Sequence, residues 1–504
     1  MLLHESLALT ATRVPDRCAL IVGGRRYSYA RIQQLVAQMA ARLRDGGLMR
    51  GERVATYIDN GLDAVIAVYA TLKCGAVFIP VNPLTKADKL CYLLNDADAS
   101  VLVTQESLRG EFAPALARAP SVRRCLVVES EGAECKLPAT APGNASTPIE
   151  AGTIDVDLAS IIYTSGSTGE AKGVMLTHLN MLTAARSVSQ YLALGRDDII
   201  LCTLPMAFDY GLYQVLMAFM VGATVVLERS FAFPVKVLER MAAERVTVFP
   251  GVPTMFSMLM NLKTVGRYDL ASLRLITNTA AALSESHIRE LRALFPQAQL
   301  YSMYGLTECQ RVTYLPPDQL DRRPGSVGRG MPNEEVWLVD EAGLRLPNGN
   351  VGELVIRGSH VMRGYWRKPE ATAKRLKSGA LPGEMLLYSG DLFRTDQEGY
   401  LYFVARKDDI IKSRGEKVSP REVENVIYGM SAVQDAAVIG IEDALLGQAI
   451  KAFVVLRDGQ VCSERDIIKH CAARLESFMT PKYVAIVPAL PRTDTGKISK
   501  TGLS

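Results

Sequence analysis

The segment Ile161-Ile-Tyr-Thr-Ser-Gly-Ser-Thr-Gly-Glu-Ala-Lys-Gly-Val174 concentrates hydroxyls, glycines and one lysine in a short stretch. Glycines let backbone N–H groups approach an anion, hydroxyls add donors, and Lys172 supplies a cationic point charge. Together they suit a polyphosphate. A strand-like run, Ser160 to Tyr163, leads in, and a helix-like stretch, His178 to Leu192, lies beyond. The loop is not a Walker A sequence, because Gly169 is followed by Glu-Ala-Lys-Gly. A bare Gly/Ser/Thr hexamer is as often a plain turn as a binding loop. The ordered run from Tyr163 through Gly173 is much harder to explain that way.

Further short motif-like segments follow down the chain. They are Tyr304-Gly-Leu-Thr-Glu308, Gly352-Glu-Leu-Val-Ile-Arg-Gly358, Gly364-Tyr-Trp, Tyr388-Ser-Gly-Asp391, Arg406-Lys-Asp408, Ser413-Arg-Gly-Glu-Lys-Val-Ser-Pro420 and Thr495-Gly-Lys497. With the loop, this series resembles the signature motifs of the adenylate-forming superfamily: acyl-CoA synthetases, peptide-synthetase adenylation domains and luciferases. The resemblance covers residues 160–500 in the expected order, and the N-terminal third is compatible with it.

The resemblance implies a two-step reaction. A carboxylate attacks the α-phosphate of ATP and expels pyrophosphate, giving an acyl-adenylate, and a thiol then displaces AMP. Negative charge builds on phosphate oxygens in the first step, so cations and fixed donors are needed. The implied phosphate contacts are Thr164, Ser165, Ser167, Thr168, Lys172 and Thr307. Glu308 would hold Mg²⁺, an oxygen-seeking ion. Tyr304 would stack on adenine, Asp391 would accept from the ribose hydroxyls, and Arg406 would touch ribose or phosphates. Lys497 is the implied catalytic lysine, chosen over Lys500 because it follows Thr495-Gly496. Asp408 matches the hinge about which a small domain turns between the half-reactions. Each has a plainer alternative: a solvated acid or lysine, a core aromatic, or a turn-capping Asp after Gly390.

The acid is the least legible partner. Leu204-Pro-Met-Ala-Phe-Asp-Tyr-Gly-Leu-Tyr213 stands where acyl-CoA synthetases often show a His after an aromatic, and here Asp209 follows Phe208. In amino-acid-activating relatives an Asp there pairs with the substrate ammonium, with Phe208 and Tyr213 beside it. Alternatively, Asp209 caps a helix starting near Gly211. Both readings stand at this point. Thr277-Asn-Thr-Ala-Ala-Ala-Leu283 replaces a usually Gly-rich motif, and its alanines would narrow the pocket towards a small or slender acid.

These residues need a scaffold. The chain has 504 residues, a net charge of +4, 48% hydrophobic and 22% charged residues. That is ordinary for a globular enzyme and too weakly basic for a nucleic-acid footprint. The longest mostly apolar run, Val215 to Leu227, falls well short of the ~20 residues of a membrane span. No basic segment precedes an apolar core at the N-terminus, so no secretory signal is expected. Nine scattered cysteines with no CxxC pair argue against a disulfide framework or zinc site and suit a reducing cytoplasm.

Strand-like runs at Arg53 to Ile58 and Ser100 to Thr104 alternate with helix-like ones such as Ala30 to Leu43, which suggests α/β layering. Residues 131–153 read as an exposed loop or subdomain linker. The expected fold is a large N-terminal α/β domain, 1–404, with helices sandwiching sheets and a β-rich subdomain at about 335–404. A hinge at 405–408 and a small mobile α+β domain at 409–504 follow. The expected activity is adenylation of a carboxylic or amino acid, then transfer to coenzyme A or to the phosphopantetheine arm of a separate carrier protein. The rival readings are a luciferase-like oxygenase and a catalytically inactive nucleotide-binding relative.

Overall fold

The computed structural model describes residues 1–128, 152–165, 171–279, 283, 285–413, 416–443, 446–493, 498–500 and 502–503. Two mostly parallel sheets form the centre. One has nine strands, running from Arg329–Gly330 through Thr313–Leu315, Gln299–Tyr304, Leu275–Asn278, Val248–Gly251, Ile199–Cys202, Thr224–Leu227 and Cys18–Val22 to Arg25–Ser28. The other has seven, running from Gly364–Tyr365 through Ala171–Thr177, Leu158–Ser165, Val77–Val81, Arg53–Tyr57 and Ala99–Gln105 to Arg124–Val128. The inner strands of each are short, apolar and parallel, as expected of strands covered on both faces.

Helices Leu62–Lys73 and Asp209–Val221 are apolar nearly all round and buried along most of their length. A helix without a polar face must be enclosed. Their side chains share one core with Ile200 and Val225 of the first sheet and with Val54, Phe78 and Val101 of the second. A third, antiparallel sheet comprises Glu334–Val339, Val351–Gly358, Met385–Thr395, Leu376–Ser378 and Leu401–Arg406. Beyond it, a short 3₁₀ turn, Lys407–Asp409, leads to Ile411–Ser413 of a fourth sheet. That sheet packs helices Pro420–Tyr428 and Glu464–Ala472 around its own apolar cluster, which includes Val423, Ile427, Val438, Ile450 and Ile467. The molecule thus has the expected class: a large α/β N-terminal part with a β-rich layer, and a small α+β C-terminal domain. Among the described residues no helix is long and apolar enough to cross a membrane.

Candidate active site

Strands Leu158–Ser165 and Ala171–Thr177 pair antiparallel, with Thr164 opposite Lys172 and Tyr163 opposite Gly173. The lysine is therefore set at the neck of a hairpin, and the helix His178–Tyr191 begins only after the second strand. Ser167 and Thr168 lie outside the described residues, as does the side chain of Ser165. A Cβ at Gly173 would stand 2.5 Å from Ile161 Cγ2 and 3.1 Å from Tyr163 Cζ, so glycine is what lets the strand pass so close. The Tyr163 hydroxyl is engaged behind the hairpin, donating to Asp96 Oδ2 at 2.5 Å.

Gly364–Tyr365 adds a short strand to the hairpin, with Tyr365 opposite Val174. The Trp366 N–H donates to the Gly173 carbonyl at 2.7 Å, and the Trp366 Nε1–H to the Asp96 carbonyl at 2.9 Å. This pairing carries Tyr365 to the Glu308 loop. Its hydroxyl donates to Glu308 Oε1 at 2.5 Å, and the Lys172 Nζ lies 5.8 Å from the centre of its ring. The Met362 N–H donates to the Glu308 carbonyl at 2.7 Å. Burial, and next the neighbouring Glu308 carboxylate, push the Tyr365 phenol well above its ordinary pKa, so it stays a neutral donor. Thr307 and Glu308 are half-buried. Their loop curls tightly: a Cβ at Gly305 would meet the Gln310 carbonyl at 2.2 Å.

Tyr304 ends its strand with its hydroxyl donating to Asp391 Oδ2 at 2.6 Å, and its ring meets Phe393 edge-on at 4.8 Å. Asp391 sits opposite Arg406 in the antiparallel pairing of Met385–Thr395 with Leu401–Arg406. Burial raises the Asp391 pKa, while the Tyr304 hydroxyl and the charges of Arg406 and Arg375 pull it back. Lys497 lies outside the described residues, as does the side chain of Asp408.

At the segment expected to meet the acid, helix Asp209–Val221 starts two residues earlier than its glycine suggested. Phe208 occupies the N-cap position without a side-chain cap, and Asp209 is the first helical residue, its Oδ1 accepting from the Tyr210 N–H at 2.8 Å. The expectation that Asp209 caps a helix near Gly211 is therefore corrected. Gly211 is tolerated because a Cβ there would lie 2.3 Å from the Pro205 carbonyl: the helix start is pressed against the preceding turn. Phe208 and Asp209 are half-buried, whereas Tyr213 is buried in the core at 1% exposure, near both Asp209 and Arg311. Ala280, Ala281 and Ala282 lie outside the described residues.

Three residues of this region escape sequence reasoning. Tyr365 stood in a quoted motif without a role. Arg375 closes helix Pro369–Arg375, donates to the Tyr388 carbonyl at 3.3 Å and acts electrostatically on both Tyr365 and Asp391. Arg311 is buried at 2% exposure beside Tyr210. Only the first had a signal, its motif.

The model of the family described as AMP-binding enzyme matches residues 7–366, and that of the AMP-binding enzyme C-terminal domain matches residues 422–497. The chain belongs to the AMP-binding enzyme family. It is 35% identical over 491 residues to the feruloyl-CoA synthase of Amycolatopsis sp, covering 96% of this chain and 95% of that one. The long-chain-fatty-acid–CoA ligase of Bacillus subtilis (strain 168) is 30% identical over 535 residues, covering 99% and 94%. ATP-bound MatB from Rhodopseudomonas palustris superposes with a TM-score of 0.90 at 29% identity, covering 99% of this chain and 98% of that one. This AMP-binding enzyme is thus an AMP-forming acid–thiol ligase. The acid's carboxylate attacks the α-phosphorus of ATP, pyrophosphate leaves, and a thiol sulfur then displaces AMP from the acyl carbon.

Proposed function

We propose that adenylation takes place between Lys172, Glu308 and Tyr365 on one side and Tyr304, Asp391 and Arg406 on the other, with coenzyme A as the thiol acceptor in the cytoplasm. The observation that carries the placement is the convergence of Lys172 and Glu308, far apart in sequence, on the single ring and hydroxyl of Tyr365. Lys172, Thr164, Ser165, Ser167, Thr168 and Thr307 bind phosphate. Asp391 and Arg406 hold the ribose, with Tyr304 beside adenine, and Lys497 neutralises charge developing on the phosphate. A half-buried carboxylate fits Mg²⁺, which takes oxygen ligands, and Glu308 would hold it. The ion would supply charge neutralisation on the phosphates. Coenzyme A is favoured over a carrier protein because two relatives matched across nearly their whole length are named as a CoA ligase and an acyl-CoA synthase. Acid-dependent pyrophosphate exchange tests the first half. Comparing coenzyme A with a phosphopantetheinylated carrier as acceptor tests the second, and release of AMP with the carrier alone would overturn that choice.

Asp408 is proposed as the hinge. Asp408→Pro fixes φ near roughly −65° and removes a backbone donor. It should slow thioester formation from isolated adenylate by about tenfold or more while sparing pyrophosphate exchange, since one domain orientation alone remains accessible. Wild-type rates in both half-reactions would place the pivot elsewhere.

Asp209 is proposed to pair with an ammonium on the acid. Asp209→Ala would leave that ammonium unpaired, a loss of roughly 3–5 kcal/mol by analogy with broken buried pairs, and the des-amino analogue should gain relative to the amino acid. If Asp209 serves only the helix, as a first-turn acid facing the positive end of the helix dipole, the mutation should remove roughly 0.3–1 kcal/mol of stability. Acid preference would then stay unchanged. Pyrophosphate exchange with the two acids, in wild type and mutant, separates the cases.

A further inference from the structure

Arg311 is only 2% exposed, yet among the described residues it has no carboxylate within ion-pair distance and its Nε has no hydrogen-bond partner. Its one close partner is the ring of Tyr210, 5.1 Å from the guanidinium carbon. An aromatic face returns only part of the hydration an arginine loses, and a buried charge without a counter-ion is costly. Among the described residues no nearby acid forms an ion pair with it, including Asp209, which acts on the same Tyr213. Glu334 has its Oε1 held by the Met331 N–H at 3.0 Å and its Oε2 2.9 Å from His360 Nε2, and burial pushes its carboxyl pKa well up. Glu308 is turned to Tyr365.

The location is informative. Tyr210 follows Asp209 in the helix proposed to face the acid, and its hydroxyl is fixed at 2.9 Å from the Thr277 carbonyl. Arg311 also acts electrostatically on Tyr213, as Asp209 does. The backbone leaves Arg311 little freedom to swing out. The loop after Glu308 folds back on itself, with Gln310 at φ +67° and the Val312 N–H donating to the Tyr304 carbonyl at 3.0 Å. The guanidinium is thus held between the Tyr304 to Glu308 loop and the helix Asp209–Val221.

We propose that Arg311 is a specificity-determining residue that receives a second carboxylate of the acid, remote from the one that is adenylated. The proposal rests on the proposed placement of the acid's ammonium at Asp209. A hydroxyl or carbonyl would accept a hydrogen bond but leave the charge unbalanced. A carboxylate supplies both, and its two oxygens match the planar fork of arginine.

The test uses the full chain. Wild type, Arg311→Gln and Arg311→Lys are each given a panel of amino diacids (aspartate, glutamate and 2-aminoadipate), aliphatic diacids from succinate to sebacate and the benzenedicarboxylates, each together with the counterpart lacking the remote carboxyl. Thermal shift reports binding and pyrophosphate exchange reports turnover. In wild type at least one diacid should raise the melting temperature and exceed its monoacid in kcat/KM. Arg311→Gln should lose roughly tenfold or more on that diacid, a plausible size for one charge-assisted contact, mainly through KM. The monoacid should hold or gain, and Arg311→Lys should restore part of the diacid preference. No diacid preferred in wild type, or an equal loss on diacid and monoacid, overturns the proposal. In the second case Arg311 meets the reacting carboxylate or only supports the fold. Exchange with monoacids in either case leaves the ligase reading intact, whereas absence of exchange with every acid, despite a diacid-dependent thermal shift, would strike the placement of the adenylation site and spare Arg311.

Discussion

Glu308→Gln is expected to lower acid-dependent pyrophosphate exchange by roughly 10²-fold or more, the scale seen when a preorganised contact to developing charge is removed. The substitution is nearly isosteric. The glutamine carbonyl can still accept from the Tyr365 hydroxyl, which now donates to Oε1 at 2.5 Å, so the link between the Glu308 loop and the strand at Gly364–Tyr365 survives. Stability should therefore change by less than about 1 kcal/mol, the worth of an ordinary hydrogen bond. What is lost is the anionic oxygen that Mg²⁺ prefers. The Mg²⁺ concentration giving half-maximal exchange should rise in the mutant, and more Mg²⁺ should recover part of the rate. Tyr365→Phe makes the complementary case: the carboxylate is kept but loses its tether, so exchange should fall less than in Glu308→Gln. A Glu308→Gln enzyme with unchanged Mg²⁺ requirement would remove the metal assignment, whatever its rate.

The layering was readable in advance because it rests on local signals. Short runs such as Arg53 to Ile58 and Ser100 to Thr104 read as buried strands, and the structure puts strands at Arg53–Tyr57 and Ala99–Gln105, alternating with helices. The motif residues were readable because their order along the chain is itself a pattern. What joins them was not. Lys172 faces Thr164 because a second strand, Ala171–Thr177, returns antiparallel from the glycine-rich loop, and nothing in Ala-Lys-Gly-Val-Met-Leu-Thr announces a strand rather than the start of a helix. Tyr365 reaches Glu308 only through a two-residue strand added to that hairpin, a contact between segments far apart in sequence.

The start of the helix at Asp209 was displaced for a related reason. Glycine weakens a helix, so Gly211 reads as a boundary; in the folded chain close packing on the Leu204 and Pro205 carbonyls requires it inside the first turn. Arg311 and Glu334 look like surface charges in the sequence, since charged side chains are seldom fully buried. Their burial follows from the loop that curls back under Gly305 and from the sheet edge at Arg329–Gly330, both tertiary facts.

Lys497→Ala should cut acyl-adenylate formation by roughly 10²-fold or more, again as the loss of one cation from developing phosphate charge. Thioester formation started from isolated adenylate should fall far less. The reason lies in the two chemistries. In the first half-reaction pyrophosphate departs and negative charge accumulates on phosphate oxygens, so every cation near them acts on the barrier. In the second, the bond broken lies between the acyl carbon and the AMP oxygen, and the charge already resident on the single phosphate changes less. Lys172 cannot substitute, because its place in the hairpin opposite Thr164 is fixed and Tyr365 holds it from one side. Lys500, three residues further on, is paired with Glu424 Oε1 at 2.8 Å. Lys500→Ala should therefore leave both half-reactions within about twofold of wild type, since a partly exposed ion pair contributes at most roughly 1 kcal/mol and none of it to the barrier. Measured side by side, Lys497→Ala and Lys500→Ala separate a lysine that meets the phosphate from a lysine that only fastens the C-terminal domain. Equal loss in both half-reactions for Lys497→Ala would mean that it orders that domain in both states rather than serving adenylation.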